Sequence, residues 1–414
     1  MQSTDLRALI EKSLPVARRA MLVRVGALAA TQELPLYLVG GFVRDLLLGL
    51  SPDDFDFVVE GSAPALARVV ARELGGEVTV HAPFGTATWL GANGEAIDFA
   101  SARTETYLQP AMLPVVQVPA AIAADLGRRD FTLNAMALRV DGEHFGEVLD
   151  PHGGRADLEA GVVRALHARS FQDDPTRMFR AVRYEQRLGF QIAPDTLDLI
   201  PGAWEALAAL TGDRVRHEFE LIFREPNAVG MLARLKTLEI LGHVHPALHW
   251  DGRAAERAAS LPELPHAEWN FATPLEPDAI YLALLLSEAA PDEVESALTR
   301  LNVGRAVGEA VRSALSLKIE GTRPSEVVAC LESLNESALA AAYALRPGWR
   351  SLIDQYLARW RHVRATLTGD DLIARGLKPG PDFKRILWEL RAARLDGLVK
   401  SEAEELELLD KVTG

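Results

Sequence analysis

The sequence predicts an α+β fold: a small mixed-sheet head followed by an elongated all-helical neck, body and tail. Two observations carry this. Short apolar runs with period-2 alternation, bounded by Gly and Pro, recur between residues 34 and 150. From about 150 the strand signals fade, and Ala, Leu and Arg recur at helical spacing to residue 414. The length of 414 residues is also too great for one ordinary core. The expected division is 1–150 (N-terminal helix and head), 151–225 (neck), 226–368 (body) and 369–414 (tail).

Taken in order, residues 3–30 predict an amphipathic helix broken near Pro15, with Ser3 or Thr4 as its cap. Strands are expected at Leu36–Val39, Phe55–Val59, Glu77–His81, Thr86–Leu90 and Ala96–Ala100. A helix over Ala63–Leu74 ends at Gly75-Gly76. Residues 104–124, with Pro110, Pro114 and Pro119, read as irregular and as a mobile loop. Asp150-Pro151-His152-Gly153-Gly154 reads as a joint or a surface turn. The later helices are interrupted near 201, 225, 246, 261–275 and 377–382.

Hydrophobic residues make up 48% and charged residues 25%, as in soluble globular proteins. There is no run of about 18 apolar residues and no signal-peptide pattern, so a cytoplasmic location is expected and no membrane partner. Cys330 is the only cysteine, which excludes an intramolecular disulfide and a thiolate metal cluster. The formal charge of −14 argues against a nucleic-acid partner as a whole-chain sum, but local clustering decides binding. Arginine concentrates at 128–129, 177–187 and 214–216, and acid near 402–407. His243, His245 and His249 are interrupted by Pro246 and make no metal site.

Residues 38–61 read LVGGFVRDLLLGLSPDDFDFVVEG. A strand, the Gly40-Gly41 turn and a helix over Val43–Leu48 place backbone N–H groups where a phosphate is favoured. On the following strand Asp54 and Asp56 share one face, and Phe55, Phe57 and Val59 the other. Two carboxylates beside a phosphate cradle suit a hard cation such as Mg²⁺ holding a triphosphate. Asp98, in Ile97-Asp98-Phe99, is a candidate third acid; a lone strand-end carboxylate in solvent is the alternative. In DLGRRDFTLNAMAL (125–138), Arg128 and Arg129 can hold a triphosphate or ribose, and Asp130 can accept from a ribose hydroxyl. Asn134 would share a face with Asp130 if the segment were helical. FQDDPTRMFRAVRYEQRLGF (171–190) predicts a helix starting near Asp174. Arg180, Arg183 and Arg187 fall in one 60° sector of it; a solvated basic face is the alternative reading.

These motifs resemble the class II tRNA nucleotidyltransferase and bacterial poly(A) polymerase family. The resemblance rests on GG-x-V-R-D-x-L-L-G with Asp-x-Asp, on R-R-D-F-T-x-N-A-M-A, on Asp173-Asp174-Pro175-Thr176-Arg177 and on Gly212-Asp213-Arg214-Val215-Arg216-His217-Glu218. It covers 34–225 and, less closely, the tail segment 369–410 with its PGP turn at 379–381. It implies an enzyme that adds nucleotides to the 3′ end of tRNA without a template. Asp54 and Asp56 would be catalytic and hold Mg²⁺, with Asp98 a candidate third ligand of the metal. Gly40, Gly41, Arg44, Arg128, Arg129, Asp130 and Asn134 would bind the nucleotide. Asp173, Asp174 and Arg177 would read the incoming base, while Arg180, Arg183, Arg214 and Arg216 would brace the neck or touch substrate. The expected partners are the tRNA 3′ end, ATP and, for some members, CTP. The wording RTETYLQPAMLPVV and the PGP tail are most like A-adding and full CCA-adding enzymes. A poly(A) polymerase, a CC-adding enzyme and a non-catalytic RNA-binding protein with a decayed head are the alternatives.

Overall fold

The structure, a computed structural model, describes residues 6–52, 55–92, 94–259, 264–272 and 274–413. Its chain forms two compact units, Met1–Leu210 and Thr211–Gly414. The first contains the sheet. Its strands are β1 (Leu36–Val39), β2 (Asp56–Val59), β3 (Glu77–His81), β4 (Thr86–Leu90) and β5 (Ala96–Ser101). A hairpin of β6 (Thr104–Thr106) and β7 (Val115–Gln117) stands apart, and β8 (Ala137–Arg139) and β9 (Val148–Leu149) rejoin the sheet. The order is β3-β4-β5-β2-β1-β8-β9, with only β2 and β5 parallel.

The register explains what each face does. Leu38 pairs with Phe57 and Phe57 with Phe99, so these side chains share a face. There Phe42, Phe55, Phe57 and Phe99 stack in a row at 5.4–5.6 Å, a large apolar area withdrawn from water. On the opposite face Tyr37, Val39 and Val58 pack with Ile122, Leu126 and Ala135. Asp56 and Asp98, directly paired across β2 and β5, lie on this second face at its open end.

As expected, the N-terminal helix breaks at Pro15, into Leu6–Ser13 and Val16–Thr31; the proposed caps at Ser3 or Thr4 lie outside the described residues. Several other details differ from the sequence expectation. Within 104–124 the Thr and Val residues at 104–106 and 115–117 form the β6–β7 ladder, with the three prolines outside it. Ile122–Gly127 form a short α-helix and Thr132–Asn134 one 3₁₀ turn, so Asp130 and Asn134 do not share an α-helical face. Asp150 accepts from the N–H groups of Gly154 and Arg155 at 2.6 and 3.0 Å. This makes the Asp-Pro-His-Gly-Gly stretch a capped helix entry.

Among its described residues the second unit is built of helices joined by turns, with no strand. Its tail packs Leu367, Leu372, Ile386, Leu390 and Leu409 together. Glu405, fully buried, accepts from the N–H groups of Thr366 and Leu367 and pairs with Arg394. No helix among the described residues is long and apolar enough to cross a membrane.

Candidate active site

A cleft of about 430 Å³ opens in the first unit. Its walls come from four places: the β1–helix turn, the end of β2, the segment 105–134 and the helix Thr176–Leu188. Six arginines (44, 128, 129, 177, 180 and 187) and four carboxylates (Asp56, Glu105, Asp130 and Asp174) line it. The local balance is thus positive although the whole chain is strongly acidic, which suits a polyanion.

Gly40 occupies φ +63°, a conformation glycine adopts without strain, and a Cβ there would approach Arg129 Nη1 at 2.9 Å. The backbone thus favours glycine at 40, and a larger residue would also displace the end of the Arg129 side chain. Arg44, buried on the helix Gly41–Leu47, donates from Nη1 to Asn134 Oδ1 at 2.9 Å and pairs with Asp45. Asn134 in turn donates to Asp130 Oδ1 at 3.0 Å. The four-residue spacing of Asp130 and Asn134 works here through a 3₁₀ turn instead of a helix face.

Asp130 ties the head to the arginine helix. Its Oδ2 accepts from Arg180 Nε at 2.8 Å, while its Oδ1 also takes the Phe131 N–H. Burial pushes the carboxyl pKa up, but the Arg180 charge, hydrogen bonds from Asn134 and Arg180, and the Arg177 charge outweigh it. The net shift is downward. Arg177, also buried, donates to Ser170 Oγ and to the Arg128 carbonyl, each at 2.8 Å. Asp174 is extended and lies before the helix; its Oδ1 accepts from both the N–H and the hydroxyl of Thr176. The helix therefore starts at Thr176, two residues later than expected, because Asp174 spends its carboxylate capping it.

The structure thus gathers Gly40, Gly41, Arg44, Asp56, Arg128, Arg129, Asp130, Asn134, Asp174, Arg177 and Arg180 around one cleft. It does not bring Asp173 there: that side chain faces Arg169, at 3.2 Å. Arg183 is on the helix but does not line the cleft. Asp98 stands beside Asp56 in register and accepts from the Thr88 hydroxyl at 2.5 Å. Asp54 lies outside the described residues. Arg214 and Arg216 belong to the second unit, on the helix Gly212–Phe223. Arg216 pairs with Asp213 and Glu220 and donates to the Leu301 and Asn302 carbonyls, so it fastens the 301–302 turn. Thr211 makes no side-chain cap, and Asp213 is engaged by Arg216 and Asn302.

Three further residues belong to the site. Asp125, 1% exposed, accepts from Arg128 Nε and Nη2 and from Arg129 Nη2 at 2.8–3.0 Å. Glu105 bridges Arg103 and Arg128. Tyr184 lies under two guanidinium groups, with Arg44 and Arg180 at 5.2 and 5.6 Å from its ring centroid. An acid three and four residues before an Arg pair, and an aromatic four residues after Arg180, were the available signals for Asp125 and Tyr184. Glu105 is too distant from Arg128 in sequence for any local rule.

Residues 36–164 match the poly A polymerase head domain, and residues 189–251 match a domain described as a probable RNA and SrmB-binding site of polymerase A. An A-adding tRNA nucleotidyltransferase of Halalkalibacterium halodurans is 32% identical across 98% of this chain and 95% of its own length. The chain belongs to the tRNA nucleotidyltransferase family. A CC-adding tRNA nucleotidyltransferase of Deinococcus radiodurans is 35% identical across 93% of this chain and 91% of itself. An A-adding relative from Geobacter sulfurreducens is 36% identical across 97% of this chain, but this chain spans only 48% of its length. Among solved structures, a CCA-adding enzyme in an apo form aligns over the whole of both chains, with 31% identity and a TM-score of 0.89.

Proposed function

We propose that this chain transfers AMP from ATP to the 3′ end of tRNA, as an A-adding or full CCA-adding enzyme. The observation that carries this reading is the convergence of Asp56, the arginine pair, Asp130 and the Asp174–Arg177 turn on one cleft large enough for a nucleotide. The four-part division into head, neck, body and tail belongs to the same reading.

In this reading Arg128 and Arg129, held by Asp125, neutralise the triphosphate, and Gly40-Gly41 lets its oxygens approach the backbone. Asp130, kept ionised and fixed by Arg180 and Asn134, accepts from a ribose hydroxyl. Asp174 and Arg177 meet the Watson–Crick edge of the base. The primer 3′-oxygen attacks the α-phosphorus, a new P–O bond forms, and the bond to the departing pyrophosphate breaks.

Enzymes of this class generally use a divalent metal. The donors here are carboxylate oxygens, Asp56 and its neighbour Asp98, which fit a hard cation. Mg²⁺ is the ion we assign, held by Asp54 and Asp56 with Asp98 alongside. When bound it lowers the pKa of the attacking hydroxyl and offsets charge on the phosphates.

The test is incubation of the purified chain with Mg²⁺, labelled ATP or CTP, and tRNAs ending before C74, after C75 and at A76. Addition of a single A to tRNA ending in CC supports the proposal. CTP incorporation as well assigns full CCA addition. CC-only incorporation or a long A tail overturns the A-adding reading in favour of a CC-adding or poly(A) enzyme.

A further inference from the structure

We infer that Arg18, on the N-terminal helix and outside every motif that marks the active site, is a positioning residue for the metal-binding carboxylate Asp56. The inference rests on the functional reading above.

The helix Val16–Thr31 carries Arg18 in its first turn. Among the described residues its guanidinium meets Pro52 and Phe55. Nη1 donates to the Pro52 carbonyl at 2.7 Å. The cation also lies 4.4 Å from the centroid of the Phe55 ring, well within cation–π range. A third tie is close by: the Ser51 hydroxyl donates to the Ser13 carbonyl at 3.2 Å, at the end of the preceding helix.

Phe55 immediately precedes Asp56, so whatever fixes Phe55 fixes the peptide that launches Asp56 into β2. Within the head, Phe55 stacks with Phe42 and Phe57, both at 5.6 Å. Stacking is directional in plane but permits sliding. A hydrogen bond to the Pro52 carbonyl combined with a cation over Phe55 opposes that sliding. The electrostatics give Asp56 a reason to need this. Asp98 is paired directly with Asp56 across β2 and β5. Like charges so paired repel one another before a cation arrives. A site held at the correct geometry in advance binds its cation more tightly than one the cation must draw together.

Arg18→Gln in the full chain removes the charge and the cation–π contact while leaving a partly exposed position that tolerates polar side chains. The expected result is a roughly tenfold rise in the Mg²⁺ concentration for half-maximal A addition, the usual size for an outer-sphere support. Mn²⁺ binding by electron paramagnetic resonance, without ATP or tRNA, should weaken by a similar factor. KM for ATP at saturating Mg²⁺ and affinity for tRNA should stay unchanged. Arg18→Lys, which still donates to Pro52 and keeps a cation near the ring, should stay within about threefold of wild type. Thermal unfolding of each variant identifies the temperature range in which it is folded, and metal binding is measured there. Equal Mn²⁺ affinity and equal Mg²⁺ half-saturation in wild type and Arg18→Gln overturn the inference. So does a loss in Arg18→Lys as large as in Arg18→Gln. Absence of nucleotide addition by the wild type overturns the functional reading instead, and Mn²⁺ binding still decides the role of Arg18.

Discussion

Arg180 and Asp130 lie 50 residues apart and meet at 2.6–2.8 Å, so the helix that follows the 174–177 turn is fastened to the carboxylate beside Phe131. This pair makes acid stability a readout of the site. The Asp130 pKa is depressed in the folded chain below its ordinary 3.8. Its contribution is therefore fully present above that value and is lost as pH falls through the lower folded value. Asp130→Asn should be less stable than wild type in urea by a constant margin from pH 7 to about 5. The margin should narrow below about pH 4. A margin that stays constant into strong acid would show that the carboxylate charge is not what Arg180 holds.

Asp125 predicts a larger effect from a residue with no chemistry to perform. Its buried carboxylate accepts from both Arg128 and Arg129. Asp125→Asn leaves two guanidinium groups facing an amide, and removing one partner of a buried ionic cluster costs about 3 kcal/mol or more. Urea unfolding should show this loss. KM for ATP should rise with it, because Arg129 loses the anchor that aims it at Gly40.

The sheet strands and the main cleft residues were legible because their signals are local. Gly40-Gly41, Asp-x-Asp and Arg-Arg-Asp are each contained in a few residues, and periodicity places their side chains on a face. What could not be read was long-range choice among plausible partners. Asp173 and Asp174 are adjacent and chemically identical, yet one pairs outward with Arg169 and the other caps Thr176 inside the cleft. Glu405 sits in an acidic run that reads as solvated, but its carboxylate is the buried acceptor that closes the tail. Arg18 and Phe55 illustrate the same limit, since nothing near either residue announces the other.

Asp56→Ala should abolish transfer, by on the order of a thousandfold or ~4 kcal/mol of barrier, with tRNA affinity nearly intact. The aromatic row behind Asp56 belongs to the core, whereas Asp56 itself is exposed, so the substitution should scarcely alter stability. Single-turnover kinetics beside an equilibrium tRNA titration separate the two. Near-normal turnover in the folded variant would remove Asp56 from the mechanism.

Base choice follows from which hydrogen-bonding groups the 174–177 turn can present. A carboxylate only accepts and a guanidinium only donates. Adenine and cytosine each offer an amino donor beside a ring-nitrogen acceptor, so Asp174 can take the amino group and Arg177 the ring nitrogen. Guanine and uracil reverse the two positions, and both protein groups are then opposed. Ser170 and the Arg128 carbonyl occupy two of the five N–H groups of Arg177 and hold its plane. The guanidinium therefore cannot swing aside to accommodate the wrong base. Each unpaired buried group costs about 1–3 kcal/mol, so together they give a preference of roughly a hundredfold. Wild type should reject GTP and UTP. Arg177→Ala should slow addition and relax that rejection. Ser170→Ala, which frees one edge of the guanidinium, should relax it partially while leaving the rate with ATP closer to wild type. The measurement is kcat/KM for all four nucleotides on tRNA ending in CC. An equal slowing of all four by Arg177→Ala would mean that the arginine braces the helix against Arg128 and does not read the base.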